Sequence, residues 1–187
     1  MSENNQVVSF EDEPLILVNE ADEIMGYKPK LECHQGEGIL HRAFSIFIFD
    51  DQKELLLQKR SEKKWLWPLY WSNSVCSHPR KGESMEIATQ RRLEEEIGFS
   101  VPLIYLYKFQ YHARYENRGS ERELCSVYIG KYNGPVHANE NEIAEWKFVN
   151  TDDLEKDLSL HSNRYSPWFK MEWKRIREEF WDRVQNL

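Results

Sequence analysis

The order of apolar and polar residues predicts β-strands in the first third of the chain. Residues 15–27 read LILVNEADEIMGY, two short extended runs around a polar turn. Residues 42–60 read RAFSIFIFDDQKELLLQKR, in which two runs of aromatic and aliphatic residues flank the polar stretch Asp50-Asp51-Gln52. Apolar runs around a polar turn are typical of a β-hairpin. We therefore expect a sheet to begin here.

A helix is predicted at residues 82–99, GESMEIATQRRLEEEIGF. Good helix formers fill this segment, acidic residues lie in its first turn, and Gly98 is placed to end it. Apolar residues do not form a clear stripe along it, so its polar residues need a further explanation. Three segments rich in β-branched and aromatic residues follow and predict strands: LIYLYKFQYHARY (103–115), ERELCSVYIGKY (121–132) and IAEWKFVN (143–150).

The last part of the chain predicts two helices. Thr151 is expected to cap a short helix at residues 151–158. Residues 166–184 carry apolar side chains at spacings of three and four, with Ser166 as the cap and Pro167 at the first helical position. Strands and helices in this mixed order indicate the α+β class.

Length and charge narrow the class of protein. The chain has 187 residues, which predicts a single domain at 14–187 behind a flexible acidic segment at 1–13. The formal net charge of −7 disfavours nonspecific attraction to nucleic acid or an anionic membrane. The start of the chain has the features of neither a secretory signal nor a transit peptide. We therefore expect a cytoplasmic protein, a monomer or weak homodimer, without a nucleic-acid or membrane partner.

The cysteines favour free thiols. Three of them, Cys33, Cys76 and Cys125, make an odd number in a chain without an export signal, which disfavours a disulfide framework. Cys76 lies two residues before His78 in SNSVCSHPRKGES (72–84). From these residues alone, Cys76 is either a metal ligand or a catalyst, and the choice stays open.

The predicted helix at 82–99 carries a group of carboxylates. Glu95 and Glu96 each follow an arginine, Arg91 or Arg92, by four residues, and Glu83 precedes them. One interpretation is a solvated helix face with arginine–glutamate pairs, each contributing about 0.2–0.5 kcal/mol. The alternative is that these hard oxygen ligands hold Mg²⁺, which then binds a diphosphate.

Histidines and carboxylates elsewhere suggest a second metal site. His34 and His41 are seven residues apart, and His78 follows Cys76. Glu121 and Glu123 alternate, so on a strand their carboxylates project from one face. Three imidazoles and two carboxylates suit Mn²⁺, Zn²⁺ or Fe²⁺. Spacing alone does not establish that they converge.

Residues 77–99 resemble the Nudix box. Ser77, Glu83 and RRLEEEIGF (91–99) follow its spacing, but Ser77 replaces the opening glycine and Arg92 replaces a metal-binding glutamate. The resemblance implies that a basic residue in that place would bind a diphosphate instead of helping to cleave it. The resemblance implies a Nudix-type α/β/α sandwich with a central mixed sheet and an additional C-terminal helix.

Four segments together resemble type 1 isopentenyl-diphosphate isomerase, a family with the Nudix fold: ECHQGEGILHRAF (32–44), WSNSVCSHP (71–79), RRLEEEIG (91–98) and SERELC (120–125). The resemblance runs from about residue 15 to residue 180 and implies the following roles. The implied catalytic residues are Cys76, Glu123 and Tyr111, and the implied substrate-binding residues are Lys30, Arg60, Lys64, Arg92 and Trp168. The implied ligands of a Mn²⁺ or Zn²⁺ ion are His34, His41, His78, Glu121 and Glu123. Glu96 and the Cys76 carbonyl are implied to bind Mg²⁺ together with the diphosphate.

The implied reaction interconverts isopentenyl and dimethylallyl diphosphate through a carbocation. It needs an acid, a base such as a Cys76 thiolate whose pKa is lowered by nearby positive charge, and an aromatic face such as Trp168. KKWLWPLYW (63–71) and the aromatic C-terminal helix are expected to exclude water. Cys33 and Cys125 match no role and are expected to be buried thiols.

Two other functions remain open at this point. A Nudix hydrolase cleaving a diphosphate with Mg²⁺ is supported by Glu83, Glu95 and Glu96 but not by Arg92. A non-catalytic interaction module, stabilised by a metal at the histidines, belongs to a different class. Release of orthophosphate from isopentenyl diphosphate without a dimethylallyl product would indicate the hydrolase. A joint loss of melting temperature and metal content in Cys76→Ala would indicate the interaction module.

Overall fold

A computed structural model describes residues 6–187. Within them, nine strands form one connected sheet: β1 (Pro14–Val18), β2 (Ile24–Pro29), β3 (His41–Phe49), β4 (Leu55–Arg60), β5 (Trp71–Ser72), β6 (Val75–Ser77), β7 (Leu103–Tyr115), β8 (Gly119–Lys131) and β9 (Ile143–Val149). The helices are α1 (Lys30–His34), α2 (Met85–Ile97), α3 (Thr151–His161), α4 (Pro167–Glu179) and α5 (Trp181–Gln185). None of the helices in this part of the chain is long and apolar enough to cross a membrane.

Strand β3 lies at the centre of the mixed sheet. It is parallel to β8 along its whole length and antiparallel to β6. The predicted hairpin of β3 and β4 is wrong in its extent, because the two strands pair only at Phe49 and Leu55. The remainder of β4 pairs with β9 and β5 instead. A strand has only two edges: β8 takes one edge of β3, while β1, β6 and β4 share the other, so β4 pairs with β3 only at its start.

The two faces of β3 are covered by different helices, which confirms the predicted α/β/α sandwich. Phe47 and Phe49 pack in a core with the aromatic residues of α4. Ile46 and Ile48 point to the other face and pack in a core with Leu93 of α2. This alternation follows from the period of two along a strand. Since both faces are covered, β3 is apolar almost throughout.

Helix α2 ends at Gly98 as predicted, but it begins at Met85 rather than at residue 82. The Ser84 hydroxyl accepts a hydrogen bond from the Ile87 amide at 3.3 Å. Gly98 adopts a left-handed conformation with φ of 78°, and its amide donates to the carbonyls of Leu93 and Glu94. Both ends therefore follow from residues within one turn of the helix.

The C-terminal helices differ from the prediction in two places. Helix α3 is capped by Asn150 rather than Thr151, because the Asn150 side chain accepts hydrogen bonds from the amides of Asp152 and Asp153. The helix expected over 166–184 is interrupted at Phe180, where φ is −127°, and α4 and α5 result.

Residues 6–13 lie against the domain, although a flexible segment was expected over 1–13. The Gln6 carbonyl accepts a hydrogen bond from the Asn139 side chain at 2.8 Å, and the Val8 carbonyl accepts one from Arg92 at 3.0 Å. Residues 1–5 lie outside the described residues. The described part of this segment therefore contributes to the wall of the site.

Candidate active site

Strand pairing brings the predicted catalytic residues onto one face of the sheet. His41 of β3 lies directly opposite Glu123 of β8, which lies opposite Tyr111 of β7. Four residues farther along β3, Ser45 lies opposite Cys76 of β6. Paired residues share a face and side chains alternate with a period of two, so all five point to the same side. The thiol and the carboxylate therefore meet through strand register, not through closeness in sequence.

Three imidazoles and two carboxylates converge beside this face. Their ligand atoms all lie within 4.8 Å of one another, and all five residues are buried: His34, His41, His78, Glu121 and Glu123. They come from α1, β3, the residue after β6, and β8. The convergence that spacing alone left open is therefore present.

The histidine tautomers direct lone pairs into the cluster. His34 Nδ1 is 2.7 Å from the Lys30 carbonyl, and His41 Nδ1 is 2.7 Å from the Ile39 carbonyl. A carbonyl only accepts, so each Nδ1 carries the proton and each Nε2 presents a lone pair. This orientation is the one that metal-binding histidines commonly have.

Unsatisfied polar atoms in the cluster fit a divalent metal ion. His41 Nε2 is buried without a hydrogen-bond partner in the described chain, and it lies 3.7 Å from Glu123 Oε1. Glu121 Oε2 is 2.8 Å from His34 Nε2. When these imidazoles are neutral, electron pairs face one another, and a cation between them satisfies both.

The protein charges set the protonation of the cluster. Burial disfavours a charged His34, but the Glu121 carboxylate, the Lys30 carbonyl and Glu123 together outweigh burial and raise the His34 pKa. Burial, together with the neighbouring imidazoles, holds the pKa of His78 well below its usual range. Burial also disfavours a charged Glu123, yet contacts headed by His41 lower its pKa. Glu123 is therefore a carboxylate, and a proton on His34 competes with a metal.

The Cys76 thiol faces an anchored guanidinium. Arg60 Nη1 is 3.7 Å from Cys76 Sγ, while Arg60 Nε and Nη2 donate to the carbonyls of Trp67 and Leu66 at 3.0 and 2.9 Å. Burial nevertheless raises the pKa of Cys76 to about 12, although Arg60 opposes it. The expected lowering of this pKa therefore does not occur with the protein groups alone, because loss of solvent outweighs the adjacent cation. Cys76 is a protonated thiol here.

A phenol and an indole complete the wall. The Tyr111 hydroxyl donates to Glu123 Oε2 at 2.6 Å, and burial with this carboxylate keeps the Tyr111 pKa well above its usual range. Trp168 lies in the first turn of α4, and its Nε1 donates to the Ser72 hydroxyl at 3.0 Å. The centroids of the Tyr111 and Trp168 rings are 6.4 Å apart. The site thus combines a proton donor, a carboxylate and an aromatic face.

These groups surround a cavity of about 240 Å³. Pockets for drug-sized ligands are larger, roughly 300–1,000 Å³, so a small ligand is indicated. The wall contains every predicted catalytic and substrate-binding residue: Cys76, Glu123, Tyr111, Lys30, Arg60, Lys64, Arg92 and Trp168. Trp65 and Leu66 of the predicted water-excluding segment also line it. An acid–base pair and a group of cations therefore share one small space.

Two predicted site residues are not in that wall. His41 is fully buried and belongs to the metal cluster behind it. Glu96 is bound by Arg92, whose Nε and Nη2 donate to its Oε1 at 2.9 and 2.6 Å. The predicted Mg²⁺ ligand is therefore engaged by an arginine in this structure.

Glu83, just before α2, and Glu95 of α2 are also paired with an arginine. Arg91 donates to both oxygens of Glu83 at 2.7 and 2.8 Å, and to Glu95 at 2.9 Å. The interpretation as a helix face with arginine–glutamate pairs therefore applies to part of these carboxylates, and a place beside the ligand site applies to the others. Arg91 satisfies one set of carboxylates, while Arg92 and Glu96 are buried beside the cavity.

Sequence patterns missed three features of the site. Helix α1 was not predicted, although its four-residue spacing places Lys30 and His34 on one face. Residues 9–11 line the cavity, and nothing in their composition indicated this. Glu142 is 2% exposed and forms ion pairs with Lys64 and Arg92. In the sequence, Glu142 is only an acidic residue before a predicted strand, which does not indicate a buried ion pair.

Comparison with known proteins defines the class first. The Nudix domain family matches residues 39–169. Solved structures agree with this fold: a Nudix protein from Deinococcus radiodurans has a TM-score of 0.66 at 23% identity, covering 80% of this chain and 90% of that one. A MutT protein from Methanosarcina mazei has a TM-score of 0.60 at 20% identity, covering 75% and 94%. The fold is therefore that of a Nudix domain.

Relatives of higher identity define the family within that class. Isopentenyl-diphosphate Delta-isomerase 1 of Photorhabdus laumondii is 39% identical over 92% of this chain and 99% of the relative. Isopentenyl-diphosphate Delta-isomerase 2 of the same organism is 43% identical over 85% and 89%. The enzyme of that name from Serratia proteamaculans is 40% identical over 84% and 88%. The chain belongs to the isopentenyl-diphosphate Delta-isomerase family, as its motifs indicated.

Proposed function

We propose that this chain interconverts isopentenyl diphosphate and dimethylallyl diphosphate. The observation that carries this function is one small cavity with the Cys76 thiol, the Tyr111–Glu123 pair and the Trp168 ring in its wall. An unactivated alkene is a very poor base, so its protonation needs a positioned acid in a site that excludes water. The family relatives at 39–43% identity support the same reaction.

The reaction moves one proton onto the alkene and removes another. A proton added to the terminal carbon of isopentenyl diphosphate leaves a tertiary cation at the branched carbon. Loss of a proton from the carbon next to the oxygen-bearing one then forms the double bond of dimethylallyl diphosphate. The proton count of the substrate is unchanged, so the site needs one acid and one base.

Cys76 and the Tyr111–Glu123 pair supply these two groups. Burial keeps the proton on Cys76, whereas Glu123 is held as a carboxylate. In the free protein, therefore, the Cys76 thiol carries a proton that it can donate, and the Glu123 carboxylate can accept one. In the opposite direction the Tyr111–Glu123 pair donates and the Cys76 thiolate accepts. The Trp168 ring stabilises the cation by an interaction of about 2 kcal/mol when desolvated.

The cavity cations hold the diphosphate. Lys30, Arg60, Lys64 and Arg92 line the same wall, and their side chains form charge-assisted hydrogen bonds to phosphate oxygens. We assign Mg²⁺ to the diphosphate, near Glu96 and the Cys76 carbonyl, and Mn²⁺ or Zn²⁺ to the five-residue cluster. A metal held by these five residues would supply a fixed positive charge next to Glu123.

An isotope experiment tests this function. The metal-loaded protein is incubated with isopentenyl diphosphate and Mg²⁺ in D₂O, and the products are followed by NMR. We expect dimethylallyl diphosphate with deuterium in a methyl group, because the thiol and phenol protons exchange with solvent. Phosphate release without this product would favour the Nudix hydrolase instead.

Cys76→Ala distinguishes catalysis from metal-stabilised structure. We expect turnover to fall by roughly 10²–10⁴-fold, as for the loss of a positioned acid or base, with Tm and metal content retained. The matched control is Cys125→Ala, which removes a buried thiol outside the cavity wall and keeps activity within a few-fold. If Cys76→Ala instead lowers Tm and metal content together, the interaction module is the better description.

A further inference from the structure

A buried carboxylate behind the diphosphate-binding cations has no role in the proposed reaction. Glu142 lies between Asn139 and β9, is 2% exposed, and does not line the cavity. Its Oε2 forms a close ion pair with the Lys64 ammonium and lies 3.2 Å from Arg92 Nη2. One oxygen therefore pairs with two of the four cations assigned to the diphosphate.

We propose that Glu142 is a positioning residue that occupies the Lys64 ammonium in the free protein and yields it to an incoming diphosphate. This inference rests on the proposed function, because it assigns Lys64 and Arg92 to the diphosphate. Glu142 then acts as the resident counter-anion of the site.

The two cations differ in their freedom to move. Arg92 is 2% exposed and is also fixed by two hydrogen bonds to Glu96 and one to the Val8 carbonyl. The Lys64 side chain is 21% exposed, lines the cavity, and carries its charge on a flexible four-carbon stem. Lys64 is therefore the cation that can turn toward a ligand while Arg92 stays in place.

Glu142 is well held for this role. Burial disfavours its charge, but Lys64 and Arg92 outweigh burial and lower its pKa to about 2. Its carbonyl accepts a hydrogen bond from the Ser61 amide at 2.9 Å, and Ser61 begins the turn that carries Lys64. The Glu142 carboxylate thus remains charged and is held close to the Lys64 ammonium.

Loss of this carboxylate is expected to strengthen anion binding, whereas a general structural defect would weaken it. A neutral side chain leaves the buried Arg92 and the half-buried Lys64 short of one counter-charge, which destabilises the free protein. A bound diphosphate restores the missing negative charge, so the anion-bound state is favoured more strongly than in the wild type. We expect a lower Tm together with tighter anion binding.

Titration with inorganic pyrophosphate in Mg²⁺ tests the proposal on the full-length, metal-loaded protein. For Glu142→Gln we expect pyrophosphate to bind about tenfold more tightly by calorimetry and to raise Tm by more than in the wild type. KM for isopentenyl diphosphate falls, and kcat falls with it because the diphosphate product leaves more slowly.

Two further variants serve as comparisons for the pyrophosphate affinity of Glu142→Gln. Glu142→Asp keeps the charge on a shorter stem that reaches only one cation, and we expect about threefold tighter binding. Glu145→Gln removes an exposed carboxylate of β9 that pairs with Lys59 at 2.7 Å, and it leaves pyrophosphate affinity unchanged. Unchanged or weaker pyrophosphate binding in both Glu142 variants overturns the proposal. Since this binding is measured without turnover, a failure of the isomerase assay overturns the proposed function alone.

Discussion

Glu172 is a fully buried carboxyl group on α4, on the sheet face that carries the candidate active site. Its Oε1 accepts a hydrogen bond from the Cys125 thiol at 3.5 Å, and its Oε2 has no partner among the described residues. Burial raises its pKa to about 8. Glu172 is therefore neutral at pH 7 and behaves as part of the core.

Replacement of Glu172 by glutamine tests this protonation state. In the wild type, the unfolded chain releases the proton near pH 4.5 while the folded protein keeps it to about pH 8. The raised folded pKa means that stability is greatest below pH 4.5 and is lost as pH rises toward 8. Relative to the wild type, Glu172→Gln should gain about 1.4 kcal/mol per pH unit in this window.

Urea unfolding at pH 5, 6, 7 and 8 measures this difference. Glu179→Gln is the matched control, since Glu179 lies on the same helix in an exposed pair with Arg175. Its effect on the free energy of unfolding should not vary with pH. A constant difference between Glu172→Gln and the wild type across the series would contradict a raised pKa for Glu172.

At the scale of the element, α2 depends on its C-terminal glycine. Gly98 has φ of 78°, and a Cβ there would lie 2.7 Å from the Cβ of His137. Left-handed backbone costs a residue with a side chain about 1–2 kcal/mol, and the close approach adds to it. The end of this helix therefore needs glycine for two separate reasons.

The pair Gly98→Ala and Gly82→Ala separates these reasons. Gly82 has φ of 85°, but a Cβ there meets nothing within 4 Å. We expect Gly82→Ala to lower the free energy of unfolding by about 1–2 kcal/mol and Gly98→Ala to lower it by clearly more. Chemical denaturation of both variants checks this order. Equal losses would mean that His137 moves aside without cost.

At the scale of the whole molecule, the His/Glu cluster joins segments that are far apart in sequence. His34, His78 and Glu123 come from a short helix, the end of a strand and a second strand. A metal bound to all of them holds these segments together and stabilises only the folded state. The metal is therefore expected to contribute to folding as well as to chemistry.

Chelation should lower Tm, and acid should have the same effect. Because Glu121 raises the His34 pKa, protons displace the metal from this residue as pH falls. Metal content and Tm measured at pH 7.5 and 5.5, with and without chelator, test this. His34→Gln should abolish the response to chelator, whereas His161→Gln, at an exposed residue paired with Asp157, should retain it. A metal-loaded protein with a Tm that chelator leaves unchanged would contradict the prediction.

Motif residues were more predictable than the contacts they make. The sequence indicated the family, and the cavity wall contains every implied catalytic and substrate-binding residue, whereas His41 and Glu96 lie outside it. Glu142 was missed because its importance comes from Lys64, 78 residues away in sequence. Burial by distant segments raises the pKa of Cys76 although Arg60 opposes it, so the protein groups alone do not lower this pKa. Charge and solvent access at a site are properties of the assembled fold.

The sequence by itself determined seven of the nine strands that the described residues form, the C-terminal end of α2 and the chemical types gathered at the site. Propensity, caps and periodicity act over a few residues, so their effects are present in the local sequence. Only the tertiary structure decided that β3 pairs with β8 and β6 rather than along β4, and that Glu96 and Glu142 bind arginine and lysine. Strand partners and buried charge pairs depend on contacts between remote segments, and no local pattern specifies them.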